Sequence, residues 1–173
     1  MQHENDETGA LIRAAQSGSR EDFARLIENH YDLMFRFAMK YAGHRSDAED
    51  ITQQACIKVG RFIGQFRFES AFSTWLYRLV INCARDWYKR RREVGVEEHP
   101  EPFEESSGEV MVQLGELMLQ IEAMGEGFRD AVVLVLGEGL THSEAAEVLE
   151  VKESTVSWRI HEVRNRLDQE SVS

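Results

Sequence analysis

Phe72, Trp75, Tyr77, Trp87 and Tyr88 share one continuous stretch with Arg85, Lys89, Arg90, Arg91 and Arg92. That mixture of rings and cations carries the most informative chemistry of the chain. Flat aromatic faces accept unstacked bases, while lysine and arginine neutralise phosphates and release counterions. The basic run from Arg85 contains a single acid, Asp86, in a protein of net charge -11. Such a local reversal of sign points to contact with opened nucleic acid. An amphipathic core helix with a solvated cationic end accounts for the same residues equally well.

Covalent chemistry finds little support elsewhere. The chain has no glycine-rich phosphate loop and no serine or cysteine nucleophile with an evident base partner. Cys56 and Cys83 lie in apolar-periodic segments without CxxC spacing and read as buried thiols, and the six histidines are scattered. No catalytic residue, metal site or cofactor is therefore expected. The longest apolar run is about Ala131 to Leu136, too short to cross a bilayer, and the N-terminus lacks a signal peptide's apolar segment. A cytoplasmic protein without membrane insertion is expected. Net acidity opposes long-range encounter with phosphate, so the free chain should bind DNA weakly.

The elements that must position these residues read as all-α, because apolar residues recur at helical intervals and strand signals are nearly absent. A first helix is expected from near Thr8 to Ser17-Gly18. A second follows the cap Ser19, with a core stripe of Phe23, Leu26, Ile27, Tyr31, Met34, Phe35 and Ala38, and ends at Gly43. Ser46 and Glu49 have the spacing of a capping box for a third helix, whose stripe is Ile51, Ala55, Val59 and Phe62. A loop from Gln65 to Ser70 leads into the aromatic helix.

From Glu93 the composition turns acidic, with Pro100 and Pro102 and no lysine or arginine before Arg129, as in a linker. Apolar periodicity resumes near Val110. Thr141 and Glu144 form a second capping box, opening a short helix; a turn at Glu150-Val151-Lys152 then leads to a helix with Val156, Ile160, Val163 and Leu167 on one stripe. Short helix, tight turn and longer helix are the pattern of a helix-turn-helix, although an ordinary helical hairpin shares it. The exposed side of the second helix would offer Ser157, Trp158, Arg159, His161, Arg164 and Arg166.

In their order along the chain, these segments resemble the extracytoplasmic-function group of bacterial sigma-70-type RNA polymerase sigma factors. The resemblance rests on Asp47-Ala48-Glu49-Asp50-Ile51-Thr52-Gln53, on Phe66 through Leu76, on Asn82 with its basic run, and on Gly139-Leu140-Thr141 through Thr155-Val156-Ser157-Trp158-Arg159-Ile160. It implies two small helical domains: region 2 over residues 8–92 and region 4 over 111–170, joined by a flexible acidic linker, 93–110. It also implies that Asp47, Glu49, Asp50, Gln53, Gln54 and Lys58 meet the core polymerase.

By the same resemblance, the loop with Arg67, Phe68 and Ser70 captures a flipped base of the minus-ten element. Asn82 helps to read that element, and Arg85, Lys89, Arg90 and Arg91 meet phosphates. Flipping costs a few kcal/mol, roughly matched by stacking and pocket hydrogen bonds. Phe62, Phe66, Phe72 and Trp75 are expected in the core. Region 4 would read the minus-thirty-five element through Ser157, Trp158, His161 and Arg164, with Lys152 and Arg159 near phosphate. Trp158, Glu162 and Glu150 depart from the residue types common at those positions.

The partners implied are bacterial core RNA polymerase, promoter DNA and an anti-sigma factor, with a monomer when free. Two other readings fit parts of the pattern. One is a sigma-like decoy that binds an anti-sigma protein without touching DNA. The other is a promoter-binding regulator that uses only the C-terminal helix-turn-helix.

Overall fold

A computed structural model describes residues 2–95 and 108–171, and among them every regular element is helical. The chain divides between Glu93 and Val94 into two compact units. The all-α expectation and the two helical domains are met. Of the expected linker, 93–110, residues 96–107 lie outside the described residues, while Glu93 still ends α4 and 108–110 already open α5; the side chains of Arg92, Val110, Val112 and Leu114 are likewise not described.

The first unit holds α1 (Gln2–Gln16), α2 (Arg20–Ala42), α3 (Arg45–Phe62) and α4 (Phe72–Glu93), with a 3-10 turn at Ile63–Gln65. Helix α1 begins more than a turn before Thr8, through polar residues that carry no apolar periodicity. Ser19 caps α2 by accepting the Asp22 amide at 3.3 Å, and Gly43 closes the helix in the left-handed region at φ 70.

Helix α2 packs against α1, α3 and α4, and this triple contact rotates its buried face from the expected stripe. Leu26, Met34, Phe37, Ala38 and Tyr41 are buried, whereas Tyr31 is exposed. Phe37, absent from the sequence stripe, is fully buried and meets Tyr77 edge to face at 4.6 Å. The polar Thr52 is also buried. Its hydroxyl donates to the Ala48 carbonyl at 2.7 Å, which satisfies it within α3.

The expected Ser46–Glu49 capping box does not form. Helix α3 starts at Arg45 with His44 as N-cap, so Ser46 is already helical, and Glu49 pairs with Arg45 at 2.8 Å.

The second unit holds α5 (Gly108–Ala123), α6 (Phe128–Val132), which continues as a π-helical turn at Val133–Gly137, α7 (His142–Leu149) and α8 (Glu153–Ser171). Ile121, Phe128 and Val163 form a buried cluster lined by Leu117, Met118, Met124, Val132 and Leu167. Leu134, Ala145, Ala146, Val148, Val156 and Ile160 are also buried. The Thr141–Glu144 capping box forms as expected.

Candidate nucleic-acid interface

The loop between α3 and α4 rises from an aromatic floor. Phe66 and Phe72 are buried at its two ends, with ring centroids 5.4 Å apart, and half-buried Trp75 stands 5.4 Å from Phe66. Phe66 and Phe72 are core, as expected, whereas Trp75 and Phe62 are only half-buried. Phe68 differs: it is 43% exposed and its backbone is left-handed at φ 60, where a side chain other than glycine is strained. Its ring meets Phe66 edge to face at 5.0 Å. Arg67 is exposed, and the half-buried Ser70 donates its hydroxyl to the Ala71 carbonyl at 3.3 Å.

Two residues of α1 that the sequence reading missed touch this loop. The Gln16 amide donates to the carbonyls of Ile63 and Phe66, both at 2.9 Å, and the Arg13 guanidinium lies 5.0 Å from the centre of the Phe68 ring. Neither contact leaves a sequence signal, since the partners are about fifty positions apart.

Asn82, Arg85 and Lys89 lie three and four residues apart on α4 and are all exposed, so they share one accessible face. Arg90 is exposed too, its Nε donating to the Asp86 carbonyl at 3.3 Å. Arg91 turns the other way. It pairs with Asp47 of α3 at 3.0 Å and lies over the Trp87 ring at 4.5 Å. Lys58 of α3 likewise pairs with Asp86 at 3.2 Å. Residues expected to face polymerase and residues on the basic helix are thus joined across α3 and α4.

The solvent face of α3 carries the exposed Asp50, Gln53 and Gln54, with Glu49 at its edge. Ile57, 55% exposed, continues this face one turn further. It was not singled out in the sequence, although its position between Ala55 and Val59 of the buried stripe puts it on the opposite side. Cys83 is buried and Cys56 is half-buried, and burial pushes both thiols above their ordinary range. Their protonated forms suit structural rather than reactive cysteines.

In the second unit, α7 and α8 meet through a turn centred on Glu150, which is left-handed at φ 55, and the Val151 amide donates to Ala146 at 3.1 Å. The small Ala145 and Ala146 are buried against the side of α8 that presents Val156 and Ile160. This geometry is a helix-turn-helix. His161 and Arg164 are exposed on the outer face of α8, and Lys152 is exposed at its start. Ser157 is half-buried and hydrogen-bonded to His142 Nδ1 at 2.8 Å, a partner invisible to sequence spacing.

Trp158 is 53% exposed and meets Phe128 edge to face at 5.3 Å. Arg159 was expected beside these residues, but two positions along a helix is a rotation of about 200° from Ser157. Its guanidinium packs over Gly127, where a Cβ would stand 2.5 Å from its central carbon. The positive φ of 81 favours glycine there, whereas a Cβ would displace only the end of the flexible Arg159 side chain.

Residues 26–94 match the family model for Sigma-70 region 2, and residues 114–167 that for Sigma-70, region 4. The chain is 34% identical over 169 residues to the ECF RNA polymerase sigma factor SigE of Mycolicibacterium smegmatis, covering 92% of this chain and 65% of that one. It is 30% identical over 168 residues to the ECF RNA polymerase sigma factor SigM of Mycobacterium tuberculosis, with 91% and 81% covered. In fold it is similar to the sigma factor RpoE in complex with the anti-sigma factor NepR from Bartonella quintana, at a TM-score of 0.65 and 23% identity, with 86% and 96% covered. A basic, loop-fronted helix in one unit and a helix-turn-helix in the other agree with these matches: the chain belongs to the extracytoplasmic-function (ECF) sigma factors of the sigma-70 family.

Proposed function

We propose that the chain joins bacterial core RNA polymerase in the cytoplasm, selects a two-part promoter and captures the opening non-template strand. The nucleotidyl transfer belongs to the polymerase, and the chain itself is not an enzyme. The observation that carries this reading is Phe68, an exposed ring held against a buried aromatic floor in the loop that leads into the basic helix α4. Arg67, Phe68 and Ser70 receive the flipped base, Asn82 reads beside it, and Arg85, Lys89 and Arg90 hold phosphates. Arg91 contributes by bracing α4 against Asp47.

The outer face of α3, through Glu49, Asp50, Gln53, Gln54 and Ile57, meets polymerase. Lys58 and Asp47 border that face and tie it to α4. In the second unit His161, Arg164, Ser157 and Trp158 face bases of the upstream element, with Lys152 near phosphate. Arg159 acts mainly as packing over Gly127.

Run-off transcription tests this reading, with bacterial core polymerase, the full chain and fragmented genomic DNA from the source organism. New transcript starts that share two spaced upstream motifs are expected. No starts together with no binding to core polymerase would overturn this reading and favour a decoy or a regulator. A stable homodimer that binds palindromic duplex without polymerase would favour a regulator instead. An anti-sigma factor is a proposed partner, supported by the complex in which the similar RpoE fold was solved. Co-purification from native cells should recover a non-polymerase partner, and repeated recovery of polymerase alone would count against it.

A further inference from the structure

We propose that α1 is a positioning element for promoter readout: Gln16 and Arg13 hold the loop after α3 in its base-receiving shape. Base preference at the captured position then depends on a helix outside the residues matched by the family models. This rests on the reading of that loop as the base receiver.

Both contacts of Gln16 are to carbonyl oxygens, so its NH2 group must point at them, and both N–H donors are used. The two carbonyls belong to Ile63 and Phe66, the residues that bracket the 3-10 turn from which the loop departs. The Phe66 amide also donates to the Ile63 carbonyl at 3.1 Å, so Gln16 adds to a turn already closed on itself. One side chain therefore reinforces the exit direction of the backbone immediately before Arg67 and Phe68.

Phe68 needs support of its own, because left-handed backbone at a non-glycine residue persists only where its surroundings over-determine it. Phe66 lies against its ring, and the Arg13 cation is the second support. Gly9 leaves room for Arg13: a Cβ there would stand 3.2 Å from the guanidinium. Helix α1 is itself anchored, with Ile12 and Leu11 buried and contacts to both α2 and the 3-10 turn. The hold on the loop is thus referred to the core rather than to solvent, while the Phe68 ring stays accessible.

The test uses holoenzyme reconstituted from bacterial core polymerase and the full chain. Its probes are single-stranded non-template oligonucleotides of a promoter mapped by run-off transcription, carrying each of the four bases at the captured position. Wild type should prefer one base. Gln16→Ala and Arg13→Ala should each cut that preference about fivefold, the order expected for losing one or two net polar contacts. Arg13→Lys should retain most of it, and Gln16→Glu, which sets an acceptor against two acceptors, should not.

Affinity for core polymerase should stay near wild type in these variants, and thermal unfolding should stay near wild type in Arg13→Ala, whose side chain is exposed. Unchanged base preference in both alanine variants would overturn the proposal. So would a parallel loss of preference, core affinity and thermal stability, which would make the contacts merely structural. If wild type itself shows no preference at any loop-facing position, the base-receiver reading fails first and the role of α1 falls with it.

Discussion

A large exposed ring costs solvation and ordering, and Phe68 adds backbone strain to that cost. Removing the ring should therefore be nearly harmless to folding and harmful to binding. Phe68→Ala is expected to leave the thermal midpoint within about 2 °C of wild type, the usual range for an exposed position. Affinity of holoenzyme for the single-stranded minus-ten oligonucleotide should fall roughly tenfold or more, the loss typical of one base–aromatic stack. Equal affinities in a filter-binding or anisotropy titration would show that Phe68 stacks on nothing. Arg91 illustrates the opposite case, a cation on the basic helix whose charge is already engaged by Asp47 and whose plane rests on Trp87. Residue type alone grouped it with Lys89 and Arg90; only side-chain direction separates them.

At the scale of elements, the helix-turn-helix carries two local features whose energetics can be isolated. Glu150 occupies the left-handed position after α7, where glycine is preferred. Glu150→Gly should stabilise the second unit by about 1 kcal/mol or slightly less, read as a higher thermal transition. An unchanged or lower transition would mean that the glutamate makes compensating contacts. At the other end of α7, the Glu144 carboxylate accepts hydrogen bonds from the Thr141 amide and hydroxyl, both at 2.8 Å, and its pKa is lowered from the ordinary 4.5 by these bonds.

A depressed folded-state pKa means that the carboxylate's contribution is complete above the unfolded value and is lost as pH falls through the lower folded value. Amide protection in α7, followed by hydrogen exchange, should thus hold above pH 4.5 and weaken below it in wild type. Glu144→Gln should flatten that local dependence. A variant that retains the full acid sensitivity would place its origin in another group.

For the whole molecule, charge sign and charge placement pull in different directions. A net charge of -11 repels DNA at long range, while Arg85, Lys89 and Arg90 are exposed cations gathered on α4. The free chain should bind duplex weakly at physiological salt, and holoenzyme should bind promoter DNA with a steep salt dependence. Each of Arg85→Ala, Lys89→Ala and Arg90→Ala should reduce the slope of log K against log salt by roughly 0.7–0.9 if that residue neutralises one phosphate. A slope that none of the three variants changes would remove α4 from the phosphate contacts. Arg91→Ala, by contrast, should act chiefly on the stability of the first unit, by about 1 kcal/mol, because its partner is within the protein.

Helical periodicity, the Ser19 and Thr141 caps and the stop at Gly43 were legible in the sequence because each is a local interaction spanning four residues or fewer. The family was legible for a similar reason: its motifs are short, ordered segments. Local rules failed where distant elements competed for the same residues. Packing of α2 against three helices at once buried Phe37 and left Tyr31 exposed, and the Ser46–Glu49 spacing lost to a helix that starts at Arg45. The pairing of Asp47 with Arg91, the turning of Arg159 over Gly127 and the hold of Gln16 and Arg13 on the loop all join residues far apart in the chain or depend on which way a side chain points. Spacing determines which face a residue shares with its neighbours. What lies opposite that face is decided only when the helices meet.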